Sequence, residues 1–168
     1  NAYAEVLSLL KPFFPSGWDE LSKEVDPSDG SYLANDAACA LHSCSELAAA
    51  LAAYGASLKA DLEAKSWINT AGKLRNISDN LTAQNRLAQA HRSDSLALEV
   101  ATLSENNEGV FNGRLQLFNN QSRLGHWAEA TATWSLLDPM GRDWPRNAYR
   151  PGAAESPVAL VDRSPRIP

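Results

Sequence analysis

The sequence has 168 residues, 44% of them hydrophobic and 21% charged, with a formal net charge of −5 at pH 7. This length and composition fit a single globular domain that can bury a core without metal ions or disulfide bonds. The acidic balance and the lack of a basic run argue against a nucleic-acid partner, and no stretch of about 18 apolar residues is present to span a membrane.

The first 32 residues are predicted to form an irregular N-terminal arm. Pro12, Pro15 and Pro27 punctuate it, and residues 26–30 read DPSDG, a sequence typical of a turn. A short helix over residues 4–10 fits the pattern. The acidic side chains of the arm either serve solubility or dock onto a basic partner surface. Because the sequence begins with Asn1 rather than Met, we expect that a targeting peptide or another segment preceded it.

Two long amphipathic helices are predicted next. The first covers about residues 36–65, where apolar side chains recur at steps of three and four residues. The second covers about residues 66–90, with Ser66 as its N-cap. Two cysteines in the first helix, Cys39 and Cys44, are interpreted as small buried residues, as a disulfide that fixes a helix start, or as a redox pair.

Two further helices complete the predicted core. The third begins near Asp94, is capped by Ser93 or Asp94, and is interrupted near Asn107 and Gly109. It ends at Gly125, and the fourth then extends to the stop at Asp138-Pro139.

These elements predict an all-α fold, an antiparallel four-helix bundle with an irregular, proline-bearing arm and tail. The proposed organisation is an arm at residues 1–32, a helical bundle at 33–139 and an extended tail at 140–168. Five prolines in the tail prevent regular structure: Pro145, Pro151, Pro157, Pro165 and Pro168.

Large aromatic side chains give the candidate binding residues. Three tryptophans match the apolar stripes of predicted helices and are expected in the core: Trp67, Trp127 and Trp134. Aromatic residues in irregular ends are typical anchors of protein interfaces. The predicted partner-binding residues are therefore Phe13, Phe14, Trp18, Trp144 and Tyr149.

No catalytic motif is present, and the chain is predicted not to be an enzyme. His42 and Glu46 stand one helical turn apart, but two ligands do not make a metal site. We therefore predict no metal, cofactor or catalytic residue. The sequons at Asn76, Asn80 and Asn120 are read as accidental because they fall within predicted helices.

Residues 36–137 resemble the PsbQ family of photosystem II. The similarity lies in a tryptophan that opens a helix and a Leu-Arg pair seven residues later, and in an aromatic–Ala–aromatic spacing that opens the last helix. The matching residues are Lys65, Ser66, Trp67, Leu74, Arg75 and Leu81, then Phe111, Leu115 and Phe118, and finally Trp127, Ala130 and Trp134. The chain departs from the family in its long tail and in the polar break of its third helix.

The resemblance implies a non-catalytic extrinsic subunit in the chloroplast thylakoid lumen. Such a subunit binds the photosystem II core and other extrinsic subunits, and stabilises the oxygen-evolving complex. The alternative is a helical adaptor or chaperone-like interaction module unrelated to photosynthesis. A Gly-His-Trp-Ala-Glu-Ala segment at residues 125–130 also resembles one hairpin of a tetratricopeptide repeat, but no repeat of that period was recognised in the sequence.

Overall fold

The computed structural model describes residues 2–143 and is all α-helical over that range. Its elements are α1 (Ala2–Leu10), a 3₁₀ turn (Lys11–Phe13), α2 (Pro27–Ser43), α3 (Leu47–Glu63), α4 (Trp67–Ala83), α5 (Leu87–Leu103), α6 (Asn107–Leu124) and α7 (Trp127–Asp143). None of these helices is long and apolar enough to cross a bilayer. The all-α prediction is confirmed, and the described chain holds seven α-helices rather than a bundle of four.

The helices from α2 onward begin every twenty residues. Each of the five connections contains one residue with positive φ, and these residues are Ser45, Lys65, Asn85, Glu105 and Gly125. The amide of the following residue donates to the carbonyl five positions back, for example Glu46 to Leu41 at 2.9 Å and His126 to Gln121 at 2.9 Å. This is the Schellman C-cap, which satisfies the last helical carbonyls and turns the chain back on itself.

Successive helices pack against each other in an antiparallel sequence, so the chain forms two layers. The even helices α2, α4 and α6 form one layer and the odd helices α3, α5 and α7 form the other. Direct packing between α4 and α6 is seen, whereas no pair of odd helices makes comparable contact within residues 2–143. Because α4 and α6 lie closer together than any two odd helices do, the even layer is the inner side of this part of the stack.

The predicted helix boundaries were wrong at the turns that contain Ser45 and Asn85. The helix expected over residues 36–65 is two helices that separate at Ser45, and that expected over 66–90 ends at Ala83. Ser93 and Asp94, expected as N-caps, lie buried in the middle of α5. The break near Asn107 and the stop at Gly125 are confirmed.

Two further boundary predictions need correction. Ser66 precedes α4, but its side chain makes no capping hydrogen bond. The helix predicted to stop at Asp138-Pro139 continues to Asp143. A proline inside a helix removes one hydrogen bond and bends the helix, and here the helix continues past it.

The N-terminal arm is folded over much of its length. Leu10 and Phe14 join the main core cluster with alanines of α2 and α3, and the ring of Trp18 lies 5.0 Å from that of Phe14. The Lys11 ammonium sits 4.8 Å from the Trp18 ring centre. The short helix expected over residues 4–10 is present as α1, whereas the irregular interpretation fails for the residues from Pro27 onward, which belong to α2.

The interior is built from small and polar side chains. Alanines dominate the buried apolar set, and a second, smaller cluster contains Phe118, Ala130 and Leu137. Among the residues that the structure describes, twelve buried side chains are polar or charged, namely Ser31, Ser57, Asp61, Thr70, Lys73, Ser78, Asn80, Ser93, Asp94, Asn120, Gln121 and Thr133. Sequence periodicity underestimates such a core because it counts apolar residues only.

The left-handed turns make a stability prediction. A non-glycine residue with φ near +55° costs about 1–2 kcal/mol, which glycine avoids at a smaller entropic cost. We expect Lys65→Gly to raise the free energy of unfolding by about 0.5–1 kcal/mol and Gly125→Ala to lower it by about 1 kcal/mol. Urea unfolding measures both. Lys65→Ala is the control and should change little, since alanine keeps the same backbone strain; an equal gain from Lys65→Ala would refute the explanation.

Candidate binding groove

The predicted partner-binding residues have different environments. Phe13 is 38% exposed, whereas Phe14 is completely buried against the core of its own chain. Phe14 is therefore not a surface anchor, because its ring is used to close the N-terminal end of the stack. Trp18 is partly buried on Phe14. Trp144 and Tyr149 lie outside the described residues, as does all of the predicted tail after Asp143.

The helix-stripe tryptophans are less buried than expected. Trp67 is 49% exposed and Trp127 is 42% exposed, and each is the first residue of its helix. Trp134 is partly buried and packs its ring 5.3 Å from that of Phe118. The core interpretation was wrong for the first two, and only Trp134 packs on an apolar cluster.

The cysteines and His42 do not form a reactive centre. Both thiols are free, and Cys39 is exposed, so the buried interpretation fails for that residue. Cys39 Sγ lies 3.5 Å from the Tyr54 hydroxyl, and burial together with this contact raises the pKa of Tyr54. His42 faces Asn80 at 3.4 Å rather than Glu46. Within residues 2–143 no three His, Cys, Asp or Glu side chains are placed to hold a metal ion.

A concave groove lies between α4 and α6 on the inner layer and is here called the α4–α6 groove. It has two clefts. One, of about 190 Å³, lies where α4 and α6 begin, and its lining is Ile68, Ala71, Gly72, Arg75, Ala97, Asn106, Glu108, Gly109, Asn112 and Gly113. The other, of about 490 Å³, lies where these helices end, and its lining is Asp79, Thr82, Gln116, Phe118, Asn119, Asn120, Ser122, Arg123 and Trp127.

The glycines of the first cleft have two separate roles. A Cβ on Gly113 would lie 3.3 Å from the Leu98 Cα, and one on Gly109 would lie 2.9 Å from the Ala101 Cβ. These two glycines therefore let α6 approach α5 closely. A Cβ on Gly72 would meet nothing within 4 Å, so this glycine leaves open space in the cleft.

A polar bridge crosses the groove at the second cleft. The Gln116 amide donates to the Asp79 carboxylate, which links the middle of α6 to the C-terminal half of α4. Other polar pairs also connect neighbouring even helices, with Thr82 donating to Asn120 at 3.2 Å and Asn76 donating to Asn35 at 3.0 Å. Hydrogen bonds between side chains thus connect the helices of the inner layer.

A buried carboxylate lies directly behind the second cleft. Asp94 on α5 is fully buried, and its Oδ2 accepts a hydrogen bond of 2.5 Å from Asn120. Its Oδ1 has no hydrogen-bond partner in the described structure. Burial raises the pKa of Asp94, hydrogen bonds from Ser78 and Asn120 lower it in part, and the charges of Asp79 and His91 act in opposite directions. Desolvation is the dominant cause.

Asp61 on α3 is a second buried carboxylate with an unpaired oxygen. It is almost completely buried, accepts a hydrogen bond of 2.6 Å from Ser31, and leaves Oδ2 without a partner. Both carboxylates project from odd helices toward the even layer. Sequence reasoning missed the pair because an isolated Asp within a helix has no signature that distinguishes a buried position from a surface one.

No protein-family model, no curated protein and no solved structure matches the chain. The geometry itself must therefore carry any functional argument. The groove offers amide, guanidinium and carboxylate groups beside open space. Among the described residues it does not combine a nucleophile, a base and an oxyanion-binding site in one place, which is the arrangement that group transfer needs.

Asp94 makes a pH-dependent stability prediction. The pKa of Asp94 is raised in the folded state, so the native state binds the proton more readily than the unfolded chain does. The protein therefore loses stability as the pH rises from the unfolded pKa of this carboxyl group through its raised folded pKa. We expect Asp94→Asn to stabilise the protein at pH 7 by about 1–3 kcal/mol, with the gain shrinking toward pH 4. Thermal or urea unfolding across pH 4–8 measures this difference.

The control for this prediction is Asp36→Asn, since Asp36 is an exposed aspartate of α2. It should leave the pH dependence of unfolding unchanged. A loss of stability at pH 7 on Asp94→Asn would show that the buried carboxylate is well compensated.

Proposed function

We propose that this protein is a non-catalytic helical adaptor that binds an extended segment of a partner protein in the α4–α6 groove. The observation that carries the proposal is the row of amide and charged side chains along both walls of the groove, beside the open space at Gly72.

The dimensions of the groove suit a short peptide. α4 has 17 residues, so the groove is about 25 Å long at 1.5 Å per residue. An extended peptide rises about 3.3 Å per residue, so seven or eight residues fill that length. A polypeptide segment running along the helices would contact both clefts if it displaced or spanned the Asp79–Gln116 bridge.

The chemistry of the walls also suits a peptide. The side-chain amides of Asn112, Gln116 and Asn119 each offer two donors and an acceptor, which matches the N–H and C=O groups of an extended backbone. Arg75 in the first cleft and Arg123 in the second can pair with acidic side chains. Trp127 at the end of the second cleft offers a flat apolar surface to an aromatic or aliphatic side chain.

The test uses two glycines that differ only in location. Gly72 and Gly55 are both helical, and a Cβ added at either would meet nothing within 4 Å, but Gly55 lies on α3 in the odd layer. Peptides are selected from a random 12-residue display library against the full chain. We expect Gly72→Trp to weaken the selected peptides by at least about tenfold, or about 1.4 kcal/mol, and Gly55→Trp to leave their affinity unchanged.

Binding affinities are measured by calorimetry or fluorescence polarisation, with circular dichroism confirming that both variants fold. Equal loss in both variants, or peptides insensitive to either change, would exclude the groove as the binding site. Asn112→Ala provides a milder second variant, because it removes one amide from the wall and leaves the space open.

The photosystem II function implied by the PsbQ resemblance remains a prediction. The residues that carry the resemblance do not form one common core, since Trp67 and Trp127 are half exposed and belong to different helices, α4 and α7. What supports the prediction is the quoted residue spacing alone. We expect it to be tested by adding the full chain to photosystem II membranes stripped of extrinsic subunits. Saturable binding with recovery of oxygen evolution would favour that function over the general adaptor.

A further inference from the structure

Lys73 on α4 is the one basic residue among the buried residues of the described chain. It is only 8% exposed, and its ammonium nitrogen lies 5.7 Å from the centre of the Tyr32 ring on α2. Within residues 2–143 the side chain forms no hydrogen bond and no ion pair. A buried charge loses its hydration, and an aromatic ring replaces only part of that loss. Lys73 therefore lacks a counter-charge.

The packing of the helices does not require a charge at this position. Lys73 is the seventh residue of α4, and the seventh residues of the other even helices are Leu33 on α2 and Gly113 on α6. Leu33 packs on the main apolar cluster, and a Cβ added to Gly113 would lie 3.3 Å from the Leu98 Cα. Since the equivalent positions hold an apolar side chain or none, packing alone does not explain a lysine at residue 73.

The ammonium group of Lys73 keeps some contact with solvent. It is not among the fully enclosed polar atoms that lack a partner in the described structure. A surface lysine buries its stem and extends its head group into water, which leaves far more than 8% of the residue exposed. The three N–H donors of an incompletely hydrated amine are thus available to a ligand.

Amide donors lie one helical turn further along the same two helices. Asn76 follows Lys73 by three residues on α4, and Asn35 follows Tyr32 by three residues on α2, so each lies beside its predecessor on the helix surface. Asn76 donates to the Asn35 side chain at 3.0 Å, which uses one of its two N–H donors. The amide nitrogen of Asn35 reaches only the sulfur of Cys39, at 3.8 Å. Both amides can therefore donate to a further acceptor.

We propose that Lys73, with Asn35 and Asn76 beside it, binds a carboxylate group between α2 and α4. This arrangement is here called the Lys73 site. A carboxylate has two oxygens, so one can accept from the ammonium group while the other accepts from an amide. The inference does not depend on peptide binding in the α4–α6 groove, because it concerns the α2 side of α4.

The carboxylates of α2 itself do not fill this role in the described structure. Asp29 and Asp36 are exposed, lie on the same face of α2 as Tyr32, and form no ion pair with Lys73. One ammonium group balances one negative charge. A dianion would leave an excess negative charge beside Asp29 and Asp36, so the Lys73 site favours a singly charged ligand.

The experiment follows the Lys73 side chain by NMR in the full chain labelled with ¹³C and ¹⁵N. Sodium acetate is titrated at pH 7, and sodium chloride keeps the ionic strength constant. We expect a saturable shift of the Lys73 Cε resonance and of the Asn35 and Asn76 amide groups. Lys59, an exposed lysine of α3, serves as the internal reference and should show no saturable shift. Phosphate at pH 8, where it is mostly a dianion, should bind more weakly than acetate.

A second ligand separates two sources of the carboxylate. N-acetyl-glutamate N-methylamide presents an acidic side chain on a blocked backbone. Tighter binding than that of acetate indicates an acidic side chain of a partner protein, and weaker binding indicates a small organic acid.

Matched variants test the role of the charge. Lys73→Met keeps the apolar stem and removes the ammonium group, so it should weaken acetate binding by at least about tenfold, as read from the Asn76 amide. Lys59→Met removes an exposed charge and should leave acetate binding unchanged. Circular dichroism confirms that both variants fold.

The proposal is wrong if the Lys73 resonance responds to acetate no differently from that of Lys59, or if Lys73→Met binds acetate as tightly as the parent chain. Tighter binding of phosphate than of acetate at pH 8 would overturn the assignment of a singly charged ligand. The titration of the parent chain needs no variant, so it decides the matter even if Lys73→Met fails to fold.

Discussion

The reversal of the chain after each helix is the constraint on which the structure depends. Five Schellman turns, spaced twenty residues apart, fix where each helix ends and direct the next one back along it. Their backbone hydrogen bonds do not depend on the side chain at the turn. Only the last turn uses glycine, and the others place Ser, Lys, Asn and Glu in the left-handed region. The packing of the helices stabilises these strained positions.

The polar interior follows from the same regularity. Small residues at the helix contacts let the helices approach closely, so hydrogen-bonding side chains can meet between layers. Asn120 shows the result, because it joins α6 to Ser78 of α4 and to Asp94 of α5. Such networks specify which helices pair, at the cost of carboxylate oxygens that lack a partner. The α4–α6 groove is bounded by this network, which holds its walls at a defined separation.

The sequence correctly predicted that the chain is helical, but several of the predicted helix boundaries were wrong. Apolar spacing correctly indicated helices over most of residues 36–137, and Gly125 correctly marked a helix end. The boundary at Lys65 and Ser66 was predicted, whereas the turns at Ser45 and Asn85 were missed because neither has a nearby glycine or proline to mark the end of a helix. Phe14 was misassigned for a different reason, since an aromatic residue near prolines is compatible with a partner contact and with a cap on its own core. The groove could not be anticipated, because its walls come from helices about forty residues apart.

The packing of each helix mainly on its sequence neighbours also bears on how the protein opens and refolds. Contacts that are close in sequence form quickly, since little loop-closure entropy opposes them. A hairpin such as α4–α5 adds its interfaces almost independently of distant parts of the chain. Local unfolding should therefore begin at an end of the stack and spread inward one hairpin at a time. The amide hydrogens of α4 and α5 should then exchange more slowly in deuterated water than those of α7.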